Sequence, residues 1–345
     1  MRVDLFDYQL PVDRIAQEAR PRGTSRLLLL DRHTGATSHR RFAELPAILR
    51  AGDLLVRNDV GVRPARLFGR DESGRMVEIF LLSAEDSGRA RWRALARPGR
   101  RAKTGRALRF EEGLGARVLE VAEDGSRVVA FDRALDPVLL DRIGRTPLPP
   151  YIRREPGAAD RPEDRAAYQT VFAREPLAVA APTAGLHFTS GILEELRTRG
   201  VEIADLTLSV GAGTFKPVTS DDTEGHTMSP EEVAIPAGTL ATIVRAKVEG
   251  RRVIAVGTTV ARSLEAAARL PQEEGDLRFS TDLFITPGFP FLAIDALLTN
   301  FHLPRSTLLM LVCAFAGRDR VLAAYAEAVG EGYLFYSFGD AMLIR

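Results

Sequence analysis

Two hydrophobic patterns divide the chain. Between about 63 and 147, short alternating segments are separated by glycine turns, as in "ARLFGRDESGRMVEIFLL" and "ARVLEVAEDGSRVVAF". Alternation with a period of two residues, interrupted by turn sequences such as "DESG" and "EDGS", is typical of antiparallel hairpins. This segment therefore predicts a small antiparallel barrel or sandwich.

After residue 165, apolar runs that read as strands alternate with helical segments of roughly ten residues. A helix is predicted at "GILEELRTRG", with Ser190 as the candidate N-cap and Gly200 as the stop. Further helices are predicted at "TLATIVRAKVEG", "ARSLEAAARL", "STLLMLVCAFAG" and "RVLAAYAEAV". The predicted strands are 177–181, 201–210, 252–256, 282–285, 294–298 and 333–338. Strands that alternate with helices predict a parallel sheet with crossover helices.

The two patterns together predict the fold class and the domains. "RLLLLDRHTG" (26–35) reads as a buried strand and turn, and we assign it to the second region. The prolines of "RTPLPPYI" (145–152) mark a boundary, because consecutive prolines disfavour both helix and central strand. We expect an α/β protein with a barrel-like parallel strand-helix catalytic domain, formed by 1–62 and 148–345. A small antiparallel β-barrel domain is inserted at 63–147.

The composition narrows the class of protein. With 345 residues, of which 45% are hydrophobic, the chain can bury a sizeable core. The single cysteine, Cys313, excludes an intramolecular disulfide and a cysteine-based zinc cluster, which fits a reducing cytoplasm. The first residues lack the apolar region of a signal peptide. The longest apolar run, 308–316, is far short of the ~20 residues that span a membrane. We therefore expect a soluble cytoplasmic protein without a membrane partner.

The charge is unevenly distributed although the net charge is only +1. The stretch 89–109 has nine basic residues and no acidic one. It is either a solvated strand face or a phosphate-binding surface, because clustered arginines attract a polyanion. The sequence leaves both interpretations open.

Small, hydroxylated and ionisable residues follow successive predicted strands of the second region. The segments are "PTAGLHFTS", "GAGTFKPV", "GTT", "TPG", "TNFHLP" and "GDAM". In parallel α/β architectures the carboxyl ends of the strands bind ligands, because the loops and the helix N-termini converge there. We therefore expect these segments to form one shared pocket.

The residues of this pocket have alternative interpretations. His187 and His302 are either pocket groups or buried, hydrogen-bonded loop histidines, and Asp340 can instead cap the C-terminal segment. Thr258 and Thr259 fit helix caps better than ligand contacts. A metal site is not expected, because the five histidines share no helical face and no H-E-x-x-H or C-x-x-C motif occurs. A serine hydrolase is not supported either, since the G-x-S-x-G motif is missing.

Nine segments occur in this order along the chain: "FDYQLPVDRIAQ", "SRLLLLDRHTG", "NDVGVRPARLFG", "PLPPYI", "YQTVFA", "AVAAPTAGLHFT", "VGAGTFKPV", "TNFHLPRSTLLMLVCAFAG" and "GDAMLI". Together they resemble one known family, the S-adenosylmethionine:tRNA ribosyltransferase-isomerases of queuosine biosynthesis. The resemblance runs over nearly the whole chain. It implies transfer and isomerisation of the ribosyl group of S-adenosylmethionine onto 7-aminomethyl-7-deazaguanine at the tRNA wobble position. The products are epoxyqueuosine, adenine and methionine.

The resemblance also implies partners and site residues. We expect a monomer that acts on a tRNA with a GUN anticodon, with S-adenosylmethionine as co-substrate and without a metal or redox cofactor. The catalytic candidates are His187, His302, His226 and Asp340. The substrate-binding candidates are Thr183, Gly185, Gly211, Gly213, Thr214, Phe215, Lys216, Thr299, Asn300, Tyr168 and Gln169. The tRNA-binding candidates are Arg97, Arg100, Arg101 and Lys103.

The chemistry of this reaction suits histidine. A base must remove a proton beside the sulfonium, and an acid must help adenine to leave; an imidazole titrates near working pH and can do either. The sequence does not divide these roles among the histidines. Phe188, Phe215 and Phe301 are candidates for a cation–π contact with the sulfonium.

Five positions depart from the usual family pattern: Gly23, Gly61, Gly225, Ser229 and Leu334. These departures leave two other functions open. One is a divergent tRNA-binding homologue without catalysis, and the other is a sugar- or nucleotide-processing enzyme on the same scaffold.

Overall fold

The computed structural model describes residues 1–209, 218, 220–271 and 275–345. The chain forms two compact units. The larger unit contains residues 1–60, 169–175 and 181–345, and the smaller contains 61–168 and 176–180. The smaller unit is thus longer than the predicted insertion at 63–147, because it also includes the segment up to Tyr168 and a short return segment.

The larger unit is built on one sheet, which has nine strands within the described residues. The strands are β1 Arg26–Leu30, β2 Thr37–Arg41, β3 Leu54–Asn58, β10 Glu202–Ser209, β11 Glu231–Ile235, β12 Val253–Val256, β13 Leu277–Thr281, β14 Ala296–Asn300 and β15 Ala341–Ile344. Their spatial order is β13-β11-β10-β3-β12-β14-β15-β1-β2.

The sheet is mixed. β10, β3, β12 and β14 form a parallel centre, and β1 runs parallel to β15. β14 with β15, β1 with β2, and the pairings of β11 are antiparallel. The α/β class is therefore confirmed; within the described residues the strand order of the larger unit begins at β13 and ends at β2, and the sheet is partly parallel.

The helices of the larger unit follow the predicted periodicity. They are α1 Leu45–Ile48, α4 Ser190–Thr198, α5 Ala237–Val248, α6 Thr258–Ala267, α7 Thr307–Ala316 and α8 Arg318–Gly330. Thr189, not Ser190, caps α4, because its hydroxyl accepts a hydrogen bond from the Ile192 amide at 3.1 Å. Gly200 ends this helix with φ +82°, as the sequence predicted.

One face of the sheet carries a continuous apolar core. Leu27 and Leu29 of β1, Leu55 of β3 and Leu298 of β14 are buried there against Leu196 of α4. Strand alternation puts residues 296, 298 and 300 of β14 on this face, and residues 297 and 299 on the opposite face. We call these the α4 face and the opposite face.

Three predicted strands are wrong. Residues 178–181 are buried, but only Ala178 forms a bridge, with Val62. At 282–285 the apolar residues belong to an irregular segment that follows β13; Ile285 is buried there without pairing to a strand. At 333–338 the chain folds into turns before β15. In all three segments side-chain burial produced the apolar pattern, and burial alone does not distinguish a strand from a packed loop.

The smaller unit contains a closed antiparallel barrel, which confirms the predicted inserted barrel. Its strands are β4 Arg66–Asp71, β5 Met76–Ala84, β6 Arg91–Arg97, β7 Ala107–Arg109, β8 Gly115–Val121 and β9 Arg127–Phe131, in the order β4-β5-β6-β9-β8-β7. The predicted turns "DESG" and "EDGS" connect β4 to β5 and β8 to β9. Helices α2 Pro137–Ile143 and α3 Pro162–Ala167 follow.

Candidate functional site

The strand directions bring several loops to one end of the large sheet. β3, β10, β12 and β14 are parallel and end there, and β15, antiparallel to β14, begins there. β1 is parallel to β15 and begins at the same end. Ser25 before β1, Asn300 at the end of β14 and Asp340 before β15 therefore lie at a single edge. This is the ligand-binding end of an α/β sheet.

His187 is held at this end by two side chains and one ring. It closes a 3₁₀ turn, Thr183–His187, and is almost completely buried. Its Nδ1 lies 2.8 Å from the Ser25 hydroxyl, and its Nε2 lies 3.2 Å from the Asn300 amide nitrogen. The imidazole stacks on Phe42 with ring centroids 5.0 Å apart.

The partners of Asn300 determine the tautomer of His187. The Asn300 amide nitrogen also donates to the Tyr336 carbonyl at 2.9 Å, and a carbonyl can only accept. The same NH₂ group therefore faces His187, so that Nε2 accepts and Nδ1 carries the proton toward Ser25. Burial lowers the pKa of His187 from 6.5 to about 4, although the negative charge of Asp340 acts in the opposite direction. The imidazole is neutral at neutral pH.

Gly185 has a steric role in this turn. A Cβ at this position would lie 2.8 Å from the Phe172 ring and 2.9 Å from the Thr170 methyl group. Only glycine allows this close approach of the 3₁₀ turn to Phe172. Thr183 begins the same turn and is half-buried.

Asp340 is fully buried and anchors the chain around it. Arg20 donates to both carboxylate oxygens, at 3.1 and 3.2 Å. The backbone amides of Arg26 and Leu334 each donate to one oxygen at 2.8 Å. Four donors hold this carboxylate, which fixes the start of β1 and the turns before β15 around His187.

His302 lies on the opposite face of β14. Its Nε2 is 2.9 Å from the hydroxyl of Thr299, whose side chain points away from that of Asn300. The Tyr325 hydroxyl accepts a hydrogen bond from the His302 amide at 3.1 Å. Burial lowers the pKa of His302 to about 3, so this imidazole is also neutral at neutral pH. The structure therefore does not place the two histidines side by side.

The remaining predicted residues are scattered. His226 is half-buried and contacts Phe284 edge to face, with centroids 5.4 Å apart. The carbonyl of Gln169 accepts from Arg22, and Tyr168 is buried in the smaller unit. Phe188 and Phe301 are fully buried among other aromatic rings. The candidates Gly211, Gly213, Thr214, Phe215 and Lys216 lie outside the described residues.

The basic stretch of the barrel divides into two groups. Arg93, Arg101 and Arg106 are engaged with acidic side chains or a carbonyl, as in the 2.8 Å contact of Arg93 with Glu85. The side chains of Arg97, Arg100 and Lys103 are exposed, and no hydrogen bond or ion pair engages them within the described part of the chain. The second group is available to a polyanion.

A cavity of about 800 Å³ in the smaller unit involves none of the predicted site residues. Its lining includes two arginines, three acidic residues and two phenylalanines: Arg70, Arg109, Asp71, Glu72, Glu111, Phe68 and Phe110.

Several important residues were missed by sequence reasoning. Ser25 and Arg20 hold His187 and Asp340, from positions 162 and 320 residues away along the chain. The buried Arg57 and Asp59 form a charged group with the half-buried Asp205 at the same sheet end, described below. No local spacing in the sequence reports such pairings.

The structural settings of the departures from the family pattern differ. Gly23 has φ +81°, a left-handed conformation that glycine adopts without strain. Leu334 contributes its backbone amide to Asp340. Gly225 ends a 3₁₀ turn, Gly61 is buried and Ser229 is exposed.

The described residues contain neither a metal-binding cluster nor a membrane-spanning helix. Within the described ranges, no group of three or more histidine, cysteine, aspartate or glutamate side chains is placed to hold a metal ion. The helices in that same part of the chain are all too short or too polar to cross a membrane.

Comparison with known proteins identifies relatives over the whole chain. A family model described as queuosine biosynthesis protein matches residues 3–344. The S-adenosylmethionine:tRNA ribosyltransferase-isomerase of Heliobacterium modesticaldum is 53% identical, and that of Moorella thermoacetica is 50% identical; both alignments cover 100% of each chain. The crystal structure of S-adenosylmethionine tRNA ribosyltransferase from Thermotoga maritima matches with a TM-score of 0.57 and 40% identity, over 99% of this chain and 100% of that chain.

Proposed function

The chain belongs to the queuosine biosynthesis protein family, and we propose that it transfers and isomerises the ribosyl moiety of S-adenosylmethionine onto 7-aminomethyl-7-deazaguanine at the tRNA wobble position. Epoxyqueuosine, adenine and methionine are the products. The observation that carries this proposal is the full-length match to enzymes with the name S-adenosylmethionine:tRNA ribosyltransferase-isomerase. The chain is an enzyme of that class.

His187 is the base of this proposal. The sulfonium acidifies the C5′ methylene of the ribose, and a neutral imidazole is required to take that proton. His187 is neutral at neutral pH because its pKa is about 4, and its Nε2 is the nitrogen without a proton. Substrate replaces the Asn300 amide at Nε2, while Asn300 keeps its bond to Tyr336.

The same histidine then serves as the acid. An imidazolium whose pKa lies well below neutrality gives up its proton readily. The proton taken from C5′ passes to a ring nitrogen of adenine as the bond between adenine and the ribose breaks. One residue thus both removes the C5′ proton and returns it to the leaving adenine, and His302 and His226 are left as supporting residues. Asp340 acts through Arg20 and the backbone as a positioning residue.

The exposed barrel residues Arg97, Arg100 and Lys103 form the proposed tRNA surface, and Arg101 supports it through its contact with the Met76 carbonyl. Their lack of partners supports this role, because phosphate contacts require free cations. We further propose that the acceptor is a tRNA with a GUN anticodon. In this proposal the enzyme acts as a monomer in the cytoplasm, without a metal or redox cofactor.

A mass-spectrometric assay tests the function. The purified enzyme is incubated with S-adenosylmethionine and a tRNA that carries 7-aminomethyl-7-deazaguanine, and the digest is scored for epoxyqueuosine, adenine and methionine. All three products are expected in equal amounts. Binding of tRNA without any product would contradict the proposal and favour a binding protein without catalysis. Reaction of the free nucleoside without tRNA would favour a nucleotide-processing enzyme.

A further inference from the structure

A second group of buried charges lies on the α4 face of the sheet, between β3 and β10. Arg57 and Asp205 are register partners on these two parallel strands. Arg57 donates to both oxygens of Asp205, at 2.5 and 3.3 Å, and its guanidinium lies 4.1 Å over the Phe172 ring. Asp59 follows β3 directly and accepts a hydrogen bond from the Thr207 hydroxyl at 2.6 Å. Arg57 and Asp59 are both buried.

Two features of this group are incomplete without a ligand. The Nη1 of Arg57 is buried and has no hydrogen-bond partner within the described residues. A buried donor that is left unpaired is costly, so such groups are rare and call for an explanation. Asp59 has four acceptor positions; the Thr207 hydroxyl, the backbone amide of Asp59 and Arg174 use three of them.

Arg174 covers the two carboxylates from the solvent side. Its side chain is 70% exposed, and its nitrogens lie 3.3 Å from Asp59 and 3.4 Å from Asp205. Asp59 itself is buried, so its carboxylate requires a counterion, and another cation that supplies the same charge can take the place of the exposed guanidinium. The group therefore offers a carboxylate acceptor for a cation, at Asp59, next to a buried donor that lacks an acceptor, the Nη1 of Arg57.

Phe172 connects this group to His187. Its ring lies under Arg57, contacts Phe188 edge to face at 6.2 Å between centroids, and limits position 185 to glycine. Gly185 and Phe188 belong to the turn that carries His187. Both sites thus lie on the α4 face at the same end of the sheet.

We propose that Arg57, Asp59 and Asp205 bind the zwitterionic α-amino acid group of S-adenosylmethionine, with its carboxylate at Arg57 Nη1 and its ammonium in the place of Arg174. This inference rests on the proposed function, because it assigns one end of that substrate. A carboxylate matches a guanidinium better than a neutral acceptor does, since both partners are charged. We call these three residues with Arg174 the amino-acid subsite.

Calorimetry with two ligands tests the subsite. S-adenosylmethionine carries the amino acid group, whereas 5′-deoxy-5′-(dimethylsulfonio)adenosine keeps the sulfonium and nucleoside but lacks it. Wild-type enzyme is expected to bind S-adenosylmethionine at least about tenfold more tightly, as charged hydrogen bonds imply. In Asp59→Asn, which keeps the acceptor for Thr207, this ratio falls to a few-fold. In Arg174→Ala, S-adenosylmethionine binds as tightly as in wild type or more tightly.

Asp53→Asn is the matched control. Asp53 is an equally buried carboxylate that precedes β3 at the opposite end of the sheet, where Arg252 donates to both oxygens at 2.8 and 2.5 Å. This variant is expected to lose stability but to keep the ligand ratio. A purely structural role of Asp59 predicts the same result for Asp59→Asn.

The outcomes separate the two proposals. An unchanged ligand ratio in Asp59→Asn, while wild type binds S-adenosylmethionine, overturns the subsite alone. If Asp59→Asn instead raises the KM for tRNA and leaves S-adenosylmethionine binding unchanged, the subsite is also overturned. Asp59 would then bind the aminomethyl group of the acceptor base. If the wild-type enzyme binds neither S-adenosylmethionine nor the dimethylsulfonio analogue, with or without tRNA, the proposed function is overturned. The amino-acid subsite, which rests on that function, is then overturned as well.

Discussion

The two faces of strand β14 hold two histidines in different ways. On the α4 face, His187 has a side-chain partner at each ring nitrogen, with the buried charge of Asp340 nearby. On the opposite face, the His302 ring contacts the Thr299 hydroxyl through Nε2, whereas the Tyr325 hydroxyl binds its backbone amide. Thr299 and Asn300 are adjacent in sequence, but their side chains lie on opposite faces of the sheet, because successive side chains of a strand alternate.

The comparison separates candidates that look equivalent in the sequence. Both histidines are buried and neutral, so burial alone does not choose between them. What differs is the surroundings: the negative charge of Asp340 acts on the pKa of His187, whereas burial accounts for the lowered pKa of His302, and Arg57 lies on the face of His187. A charged substrate requires charged partners, so the account assigns the chemistry to the α4 face.

The largest effect on the reaction rate is expected when each of the two histidines is replaced by alanine. His187→Ala should lower product formation about 10²–10⁴-fold, because a general base is lost. His302→Ala should cost less than about tenfold, through the loss of one hydrogen bond. Mass spectrometry of the tRNA digest measures both rates, and circular dichroism verifies that each variant folds. A reversed order of the two effects would show that the opposite face carries the chemistry.

The second prediction concerns acid stability, to which both faces contribute. A buried histidine with a lowered pKa stays neutral when folded but binds a proton when unfolded, so stability is complete above pH 6.5 and falls as the pH decreases. When the pH is lowered from 6.5 to 5, each histidine should reduce the free energy of unfolding by about 2 kcal/mol. Urea unfolding at these two pH values measures the loss.

His187→Gln and His302→Gln are the matched variants for this measurement. Each substitution should remove the part of the pH dependence of the unfolding free energy that its histidine contributes. If neither variant reduces the slope, the two imidazoles are not buried in their neutral form.

The third prediction tests the contact between β14 and His187. Asn300→Ala removes the amide that selects the Nε2 acceptor, so kcat should fall about tenfold with little change in KM. The pH dependence of kcat should change at the same time, because the tautomer is no longer fixed. Thr299→Val is the control on the opposite face and should leave kcat within a few-fold of wild type. Equal effects of the two substitutions would remove the distinction between the faces.

The smallest effect is expected in the barrel. Arg97→Gln with Arg100→Gln should weaken tRNA binding and reduce the slope of log affinity against log salt by about one to two, because free cations contact phosphates. Arg197→Gln with Arg199→Gln on α4 removes the same charge from arginines that already pair with Glu194 and Glu195. Filter binding at several salt concentrations compares the two pairs. If both pairs of substitutions gave the same slope of log affinity against log salt, the stretch 89–109 would be a solvated strand face and not a phosphate-binding surface.

The sequence predicted the parts that depend on local order. The helices α4 to α8 and the barrel hairpins follow directly from periodicity and turn residues. The strands predicted at 177–181, 282–285 and 333–338 failed because packed loops are as apolar as strands. Of the predicted site residues, the structure brings His187, Asn300 and Asp340 together, and their roles stay predictions; Ser25 and Arg20 were not predicted, because distant chain segments bring them to this place. The faces of β14 could not be assigned either, since a register must be known first.

The most direct test measures adenine release in a single turnover, with S-adenosylmethionine that carries deuterium at C5′. The account predicts a primary isotope effect in the wild-type enzyme and in His302→Ala, and a rate about 10²–10⁴-fold lower in His187→Ala. The account would be contradicted if His187→Ala kept the wild-type rate and isotope effect while His302→Ala lost them.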